Sequence, residues 1–244
     1  MWPRMAIWLI AIHLLLLAGQ TTAAPLAAFS TALGAQPPAP WKVVGLPERF
    51  AKPVTQFDIA ELDGQQVLRV KADKSWGSVV HPAADVIKPN AILKWRWRLD
   101  QPLAKTDIHA KATEDSALKV CVSFDMPADN IPGGERALFK LAQFFTKEKI
   151  PTATLCYIWG GKESIGYEQA SLFTARVRFV VLANESTPLK AWQSKERNIY
   201  ADFMKAFGQE TVTVPALSAI LLGADADNTL GSSVGFIGDV QLVP

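Results

Sequence analysis

The turn Asp225-Ala226-Asp227-Asn228, followed by Asp239 on the next expected strand, gathers oxygen donors in a short stretch. Ca2+ is a hard cation that takes about six to eight oxygens, and carboxylates with amide oxygens supply them. Calcium is therefore the cofactor this sequence admits, through Asp225, Asp227, Asn228 and Asp239. The alternative is a turn with no ion, because Asp and Asn side chains hydrogen-bond their own backbone.

A second pattern is cationic. Lys94, Arg96 and Arg98 alternate along one segment, Lys119, Ser123 and Asp125 along another, and Arg176 and Arg178 along a third. On adjacent strands that alternation would put the charges on one sheet face. Arginine's planar fork grips carboxylates and phosphates in pairs of bonds, so the face would suit an acidic or phosphorylated glycan. A solvated outer face is the alternative. Trp95 and Trp97 share the parity of Leu93 and Leu99 and read as core. Trp76 and Trp192 stand among polar residues, where an indole could stack on a sugar ring. Glu196-Arg197-Asn198 with Asp202 opens an expected helix. These residues form either a cap with an ion pair or a ligand contact through Arg197 and Asn198. The candidate binding set is thus Arg96, Arg98, Arg178, Trp76, Trp192, Arg197 and Asn198.

Catalysis has weaker support. A paired-carboxylate glycosidase needs two acids about 5–10 Å apart, and Asp115, Asp125, Glu196 and Asp202 are the acids to test. No nucleophile elbow, His-Glu-x-x-His or phosphate-cradling glycine loop occurs. His81 and His109 stand at no ligand spacing from either cysteine, which argues against a thiolate–imidazole metal site.

Strands must position these side chains. Phe57–Leu62 and Gln65–Lys71 alternate around Asp63-Gly64, a hairpin signal because both turn residues tolerate positive φ. Further strands are expected at Ser75–Val80, Ile92–Leu99, Leu118–Asp125, Thr154–Trp159, Ala175–Leu182, Leu189–Lys195, Ser218–Ala224 and Gly235–Val243. Leu138, Leu141, Ala142 and Phe145 keep helical spacing over about 134–148, and Ile199, Phe203 and Phe207 do so over about 197–207, before Gly208. Many strands, two short helices and no strand–helix alternation predict an all-β protein, a single jelly-roll-like antiparallel β-sandwich.

Several elements in order resemble a known group. They are Trp95-Arg96-Trp97, Asp115–Asp125, Leu155–Trp159, Glu196-Arg197-Asn198, Phe207-Gly208, Asp225–Asn228 and Gly238-Asp239. The chain resembles, over about residues 41–243, an exported bacterial family catalogued as domain of unknown function three thousand forty-seven. That resemblance implies a β-sandwich in the envelope and supplies no activity. It also implies other residues at positions 121 and 156, where this chain has cysteine.

The chain opens with Arg4, an uncharged run from Met5 to Gly19, and then Thr21-Thr22-Ala23. That is the layout of a signal peptide over residues 1–23, cut before Ala24. The alternative, an uncleaved anchor, would need about 20 apolar residues. An Ala- and Pro-rich linker is expected over 24–40 and the sandwich domain over 41–244. Export to the periplasm or beyond allows Cys121 and Cys156 to close a bridge if their strands are neighbours, and otherwise leaves two buried thiols. With 25 Lys+Arg against 23 Asp+Glu in 244 residues, no bulk basic surface argues for nucleic acid. No stable membrane span is expected after cleavage. The reading is an exported, non-catalytic module for an envelope or extracellular glycan, anionic glycans included. The alternatives are a carbohydrate-active hydrolase or lyase, and a structural envelope protein that binds a protein partner along a sheet edge.

Overall fold

The computed structural model describes residues 26–144 and 150–243. The expected signal peptide lies outside these residues. The strands are β1 (Lys42–Val44), β2 (Gln56–Leu62), β3 (Gln65–Asp73), β4 (Trp76–Pro82), β5 (Ile92–Gln101), β6 (Ser116–Phe124), β7 (Ala153–Trp159), β8 (Glu168–Ala170), β9 (Val177–Ala183), β10 (Gln193–Asn198), β11 (Leu217–Asp225), β12 (Ser232–Ile237) and β13 (Gln241–Val243). The helices are α1 (Gly133–Phe144) and α2 (Ile199–Phe207).

The strands form a jelly-roll-like sandwich of two sheets. The first runs β1-β4-β11-β6-β7-β9-β8 and the second β10-β5-β12-β3-β2, with β13 also on β5. Pairing is antiparallel except between β7 and β9, which run parallel. The Asp63-Gly64 turn takes left-handed geometry at both residues, φ 53 and 74, as its sequence demands. The strand expected over Gly235–Val243 is broken into β12 and β13, and both pieces pair with β5. At the break Gly238 donates its N–H to Arg96 O at 2.9 Å, and any Cβ there would run into the Arg96 side chain.

Alternation sets the core. Leu93, Trp95, Trp97 and Leu99 face inward from β5 and meet Leu118, Val120, Val122, Leu155, Tyr157 and Trp159 of the first sheet. Trp97 packs on Trp159 with ring centroids 5.8 Å apart. The first sheet is covered on its outer face too. Ile108, Cys121, Cys156, Ile158, Phe179 and Val181 form a second apolar cluster there. Cys121 and Cys156 lie directly opposite each other on β6 and β7, and they are joined as a disulfide.

Two expectations change. Residues 26–40 lack helix and strand, as a linker would, yet they are no free spacer. Phe29 is fully buried against Trp41, and Asp239 accepts the backbone N–H groups of Phe29 and Ser30 at 2.7 and 3.0 Å. Helix α1 forms over Gly133–Phe144, within the expected span, while Phe145 lies outside the described residues; Leu138 and Leu141 are exposed and Phe139 leans on the core. Periodicity reports an apolar stripe, not whether another layer covers it. Among the described residues no helix is long and apolar enough to cross a membrane.

Candidate functional site

The second sheet leaves its outer face open, and β5 projects Lys94, Arg96 and Arg98 from it, each half-buried. Two of these cations are neutralised by acids. Lys94 Nζ donates to Glu196 Oε1 at 2.9 Å from the facing position on β10. Arg98 forms two bonds to Asp100, at 2.6 and 3.1 Å, and a third to Asp63 Oδ2 at 3.1 Å. Arg96 is held differently. It donates to Gln65 Oε1 and lies 4.4 Å from the centre of the Trp192 ring. Trp192 in turn donates its indole N–H to Asp63 Oδ2 at 2.9 Å. The hairpin turn therefore fixes Arg98 and Trp192 through Asp63 and Arg96 through Gln65.

Beside this group Gln65 also lines a cleft of about 510 Å³, with Ser30, Glu61, Gly64, Gln66 and Asp239. Its walls are amides, carboxylates and a hydroxyl, the groups that exchange hydrogen bonds with sugar hydroxyls. Gln65 links the cleft to Arg96, and Arg96 links it on to Trp192. Sequence parity could find Arg96 and Arg98. It could not find Gln65 or the cleft, which depend on how the β2–β3 turn meets β5.

The remaining expected binding residues go elsewhere. Arg178 lies in the first sheet, donates to Glu210 Oε1 at 2.5 Å and stacks on Phe207 at 4.3 Å. Its neighbour Arg176 is buried between Glu210 and Glu135. Lys119, also on the first sheet, is buried against Asp225. The single cationic face is thus corrected: its strands belong to opposite sheets, and most of its charges are paired. Arg197 and Asn198 take the structural option. Asn198 caps α2 by accepting Ala201 N–H at 2.9 Å, and Arg197 binds Asp202 through two bonds of 2.8 and 2.5 Å. Asp202 also accepts the buried Tyr157 hydroxyl at 2.7 Å. Burial, then that carboxylate, pushes the Tyr157 phenol well above its ordinary range.

The calcium donors do not assemble. Asp239 is committed to Phe29 and Ser30, and Asn228 donates to Asp115 Oδ1 at 3.0 Å. Asp225 receives the Lys119 ammonium, which also sits 4.8 Å from the centre of the Trp76 ring. Asp227 is close to Lys52, at 3.4 Å. Lysine ammonium groups stand where the ion was expected. Asp225 is nonetheless unusual. Burial raises its carboxyl to about 6, opposed by Lys119 and reinforced by Asp115 and Asp227.

The four acids weighed for catalysis are dispersed. Asp115 is locked by Asn228 and by Thr229, whose N–H and hydroxyl both donate to it at 2.7 Å. Asp125 is exposed beyond the end of β6, Glu196 is on the second sheet with Lys94, and Asp202 is on α2. His81 is buried in the core, accepting from Ala27 N at 3.3 Å.

No curated protein sequence matches this chain. Solved structures give loose likenesses. The catalytic domain of Humicola grisea Cel12A, in complex with a thio cellotetraose, is 10% identical; the match covers 89% of this chain and 99% of that one, with a TM-score of 0.44. A native family 12 xyloglucanase from Bacillus licheniformis is 7% identical, with 91% and 98% covered and a TM-score of 0.44. TmCBM61 in complex with beta-1,4-galactotriose is 11% identical, with 88% and 93% covered and a TM-score of 0.36. Nothing about the site rests on likenesses this loose. The family model described as "Protein of unknown function (DUF3047)" matches residues 39–241, and the chain belongs to that family.

Proposed function

We propose that the protein is an exported, non-catalytic module that binds a glycan on the outer face of its second sheet. The observation that carries this reading is Trp192, a half-buried indole braced by Asp63 and by Arg96, whose partner Gln65 lines a cleft of amides and carboxylates. An aromatic ring supplies an apolar plate for a pyranose face, and flanking polar groups fix its hydroxyls. The paired charges argue for a neutral, hydroxyl-rich ligand over a polyanion. Lys94 and Arg98 already have acids, and Glu61 and Asp239 line the cleft. Arg96, with two neutral partners, could take one carboxylate of a mixed glycan.

Titration of the mature protein with neutral and acidic oligosaccharides tests this. Trp192→Ala is expected to weaken binding by about tenfold or more, about 1.4 kcal/mol, as loss of an aromatic anchor does. Arg96→Ala should weaken acidic ligands more than neutral ones. Unchanged affinity in Trp192→Ala would retire the site. Export rests on the leader's charge and length. N-terminal sequencing of the native protein should begin at Ala24, and a start at Met1 in the membrane fraction would overturn it.

A hydrolase or lyase has one observation in its favour. Asp225, with its carboxyl raised to about 6, stands beside Trp76 and Lys119 on the first sheet. Polysaccharide cleavage lost in Asp225→Asn, with folding retained, would favour that reading over binding alone.

A further inference from the structure

We propose that Asp107, His109 and Glu163 form a binding site for a divalent transition-metal ion of the zinc type, on the outer side of the first sheet. One donor atom of each lies within 4.8 Å of the other two. A hydrogen-bond chain leads from these groups to the protein interior. Gln169 Nε2 donates to Ile108 O, which orients the amide and leaves Gln169 Oε1 as an acceptor. Tyr167 donates its one hydroxyl proton to that oxygen at 3.1 Å. In the tautomer that carries its proton on Nε2, His109 donates in turn to the Tyr167 oxygen, also at 3.1 Å.

A neutral imidazole carries one N–H. With the proton on Nε2, His109 Nδ1 presents a lone pair, and it faces Asp107 Oδ1 at 2.8 Å. Asp107 Oδ1 already accepts the His109 backbone N–H at 2.9 Å. In that tautomer two acceptors face each other, a pair that a second proton on the ring or a metal ion beside it would relieve. The third group favours the metal ion. A proton needs only two partners, but Glu163 adds a buried carboxylate to the set, 7% exposed. Its oxygens accept Ile108 N–H at 2.9 Å and Gly161 N–H at 2.8 Å, so each keeps a free lone pair.

One imidazole nitrogen with two carboxylates suits zinc-like ions better than calcium or magnesium, which prefer all-oxygen shells. The chain through Tyr167 and Gln169 is the outer support that metal-bound histidines have, fixing the tautomer from the far nitrogen. The loop is well anchored. Ile108, between two of the ligands, is 1% exposed in the cluster that holds the disulfide. Metal–donor bonds of about 2.0–2.2 Å set donors roughly 3.3–3.6 Å apart in a tetrahedral shell, so the Asp107–His109 pair, now at 2.8 Å, must open slightly to admit the ion. Asp107 and His109, with side chains 56% and 54% exposed, have room to turn. Three protein ligands leave a position for water or a ligand. Lys162 acts electrostatically on Asp107 and opposes the ion.

The test is zinc titration of EDTA-stripped, untagged protein by calorimetry, with the His109 ring nitrogens followed by NMR. One equivalent of zinc should bind through Nδ1. His109→Ala and Asp107→Asn should each weaken it by about tenfold or more, and Lys162→Gln should tighten it. Glu163→Gln should also weaken binding; because Glu163 is buried, its thermal stability is measured alongside. His109→Ala is at an exposed position and keeps the test independent of folding. No binding at micromolar zinc, equal binding by His109→Ala, or coordination through Nε2 would each overturn the proposal.

Discussion

Asp225 lies between one ammonium and two carboxylates, Lys119 against Asp115 and Asp227. Its sequence context gives alternation and nothing about depth, so it reads equally as turn, ion ligand or surface acid. The structure resolves this through burial, which raises the carboxyl to about 6 from an ordinary 3.8. A carboxyl raised in the folded state holds its proton where the unfolded chain has lost it. Its contribution to stability is therefore full below about 3.8 and is lost as pH rises to about 6. Urea unfolding of the wild type and Asp225→Asn should show a stability difference that shifts against the wild type over that window. The change should be on the order of 2–3 kcal/mol, with a plateau above pH 6.5. A difference that is flat or moves the other way would sink this reading. Arg96 makes the complementary point. Its parity was legible, but its partners, Gln65 and Trp192, come from a distant hairpin and a loop.

Among the elements, legibility followed the strength of the local pattern. β5 alternates without a fault, and its core face is the one its sequence announces. The Asp63-Gly64 turn is equally explicit. β1 and β8, of three residues each, carry too few side chains to show a period. β12 and β13 read as one strand because no turn sequence marks the break, and at Gly238 the chain passes so close to Arg96 that a Cβ would meet its side chain. The cysteines stood in two credible strands whose adjacency no local pattern states. Now that β6 and β7 are seen paired, the bridge closes a loop with a sequence separation of 35. By loop entropy, replacing both cysteines with serine should cost about 3–4 kcal/mol in denaturant unfolding. A loss under about 1 kcal/mol would show that the sheet alone sets the spacing.

At the scale of the molecule the two sheets differ in what covers them. The first carries apolar cover on both faces, so β6 and β7 are buried along their whole length. The second has one face on the core and one in solvent, which is why the aromatic plate and cleft are found there. Sheet membership was the part of the fold least visible in the residues. Parity assigns a side chain to a face, but whether two strands share a sheet depends on contacts remote in sequence. Edges give little to a partner strand: β1 and β8 are short, β2 carries the acids Asp58 and Glu61, and β10 carries Lys195, Glu196 and Arg197.

The same bridge turns everything between β6 and β7 into a covalent ring. Helix α1 rides on that ring, with Lys140 exposed to solvent. A trypsin cut after Lys140 would open the ring without releasing either half, because the central strands on both sides stay linked through Cys121 and Cys156. Nicked protein should therefore run as one species on a non-reducing gel, separate into two after thiol treatment, and retain its ligand until then. Separation without reductant would mean the ring is not closed in the native protein.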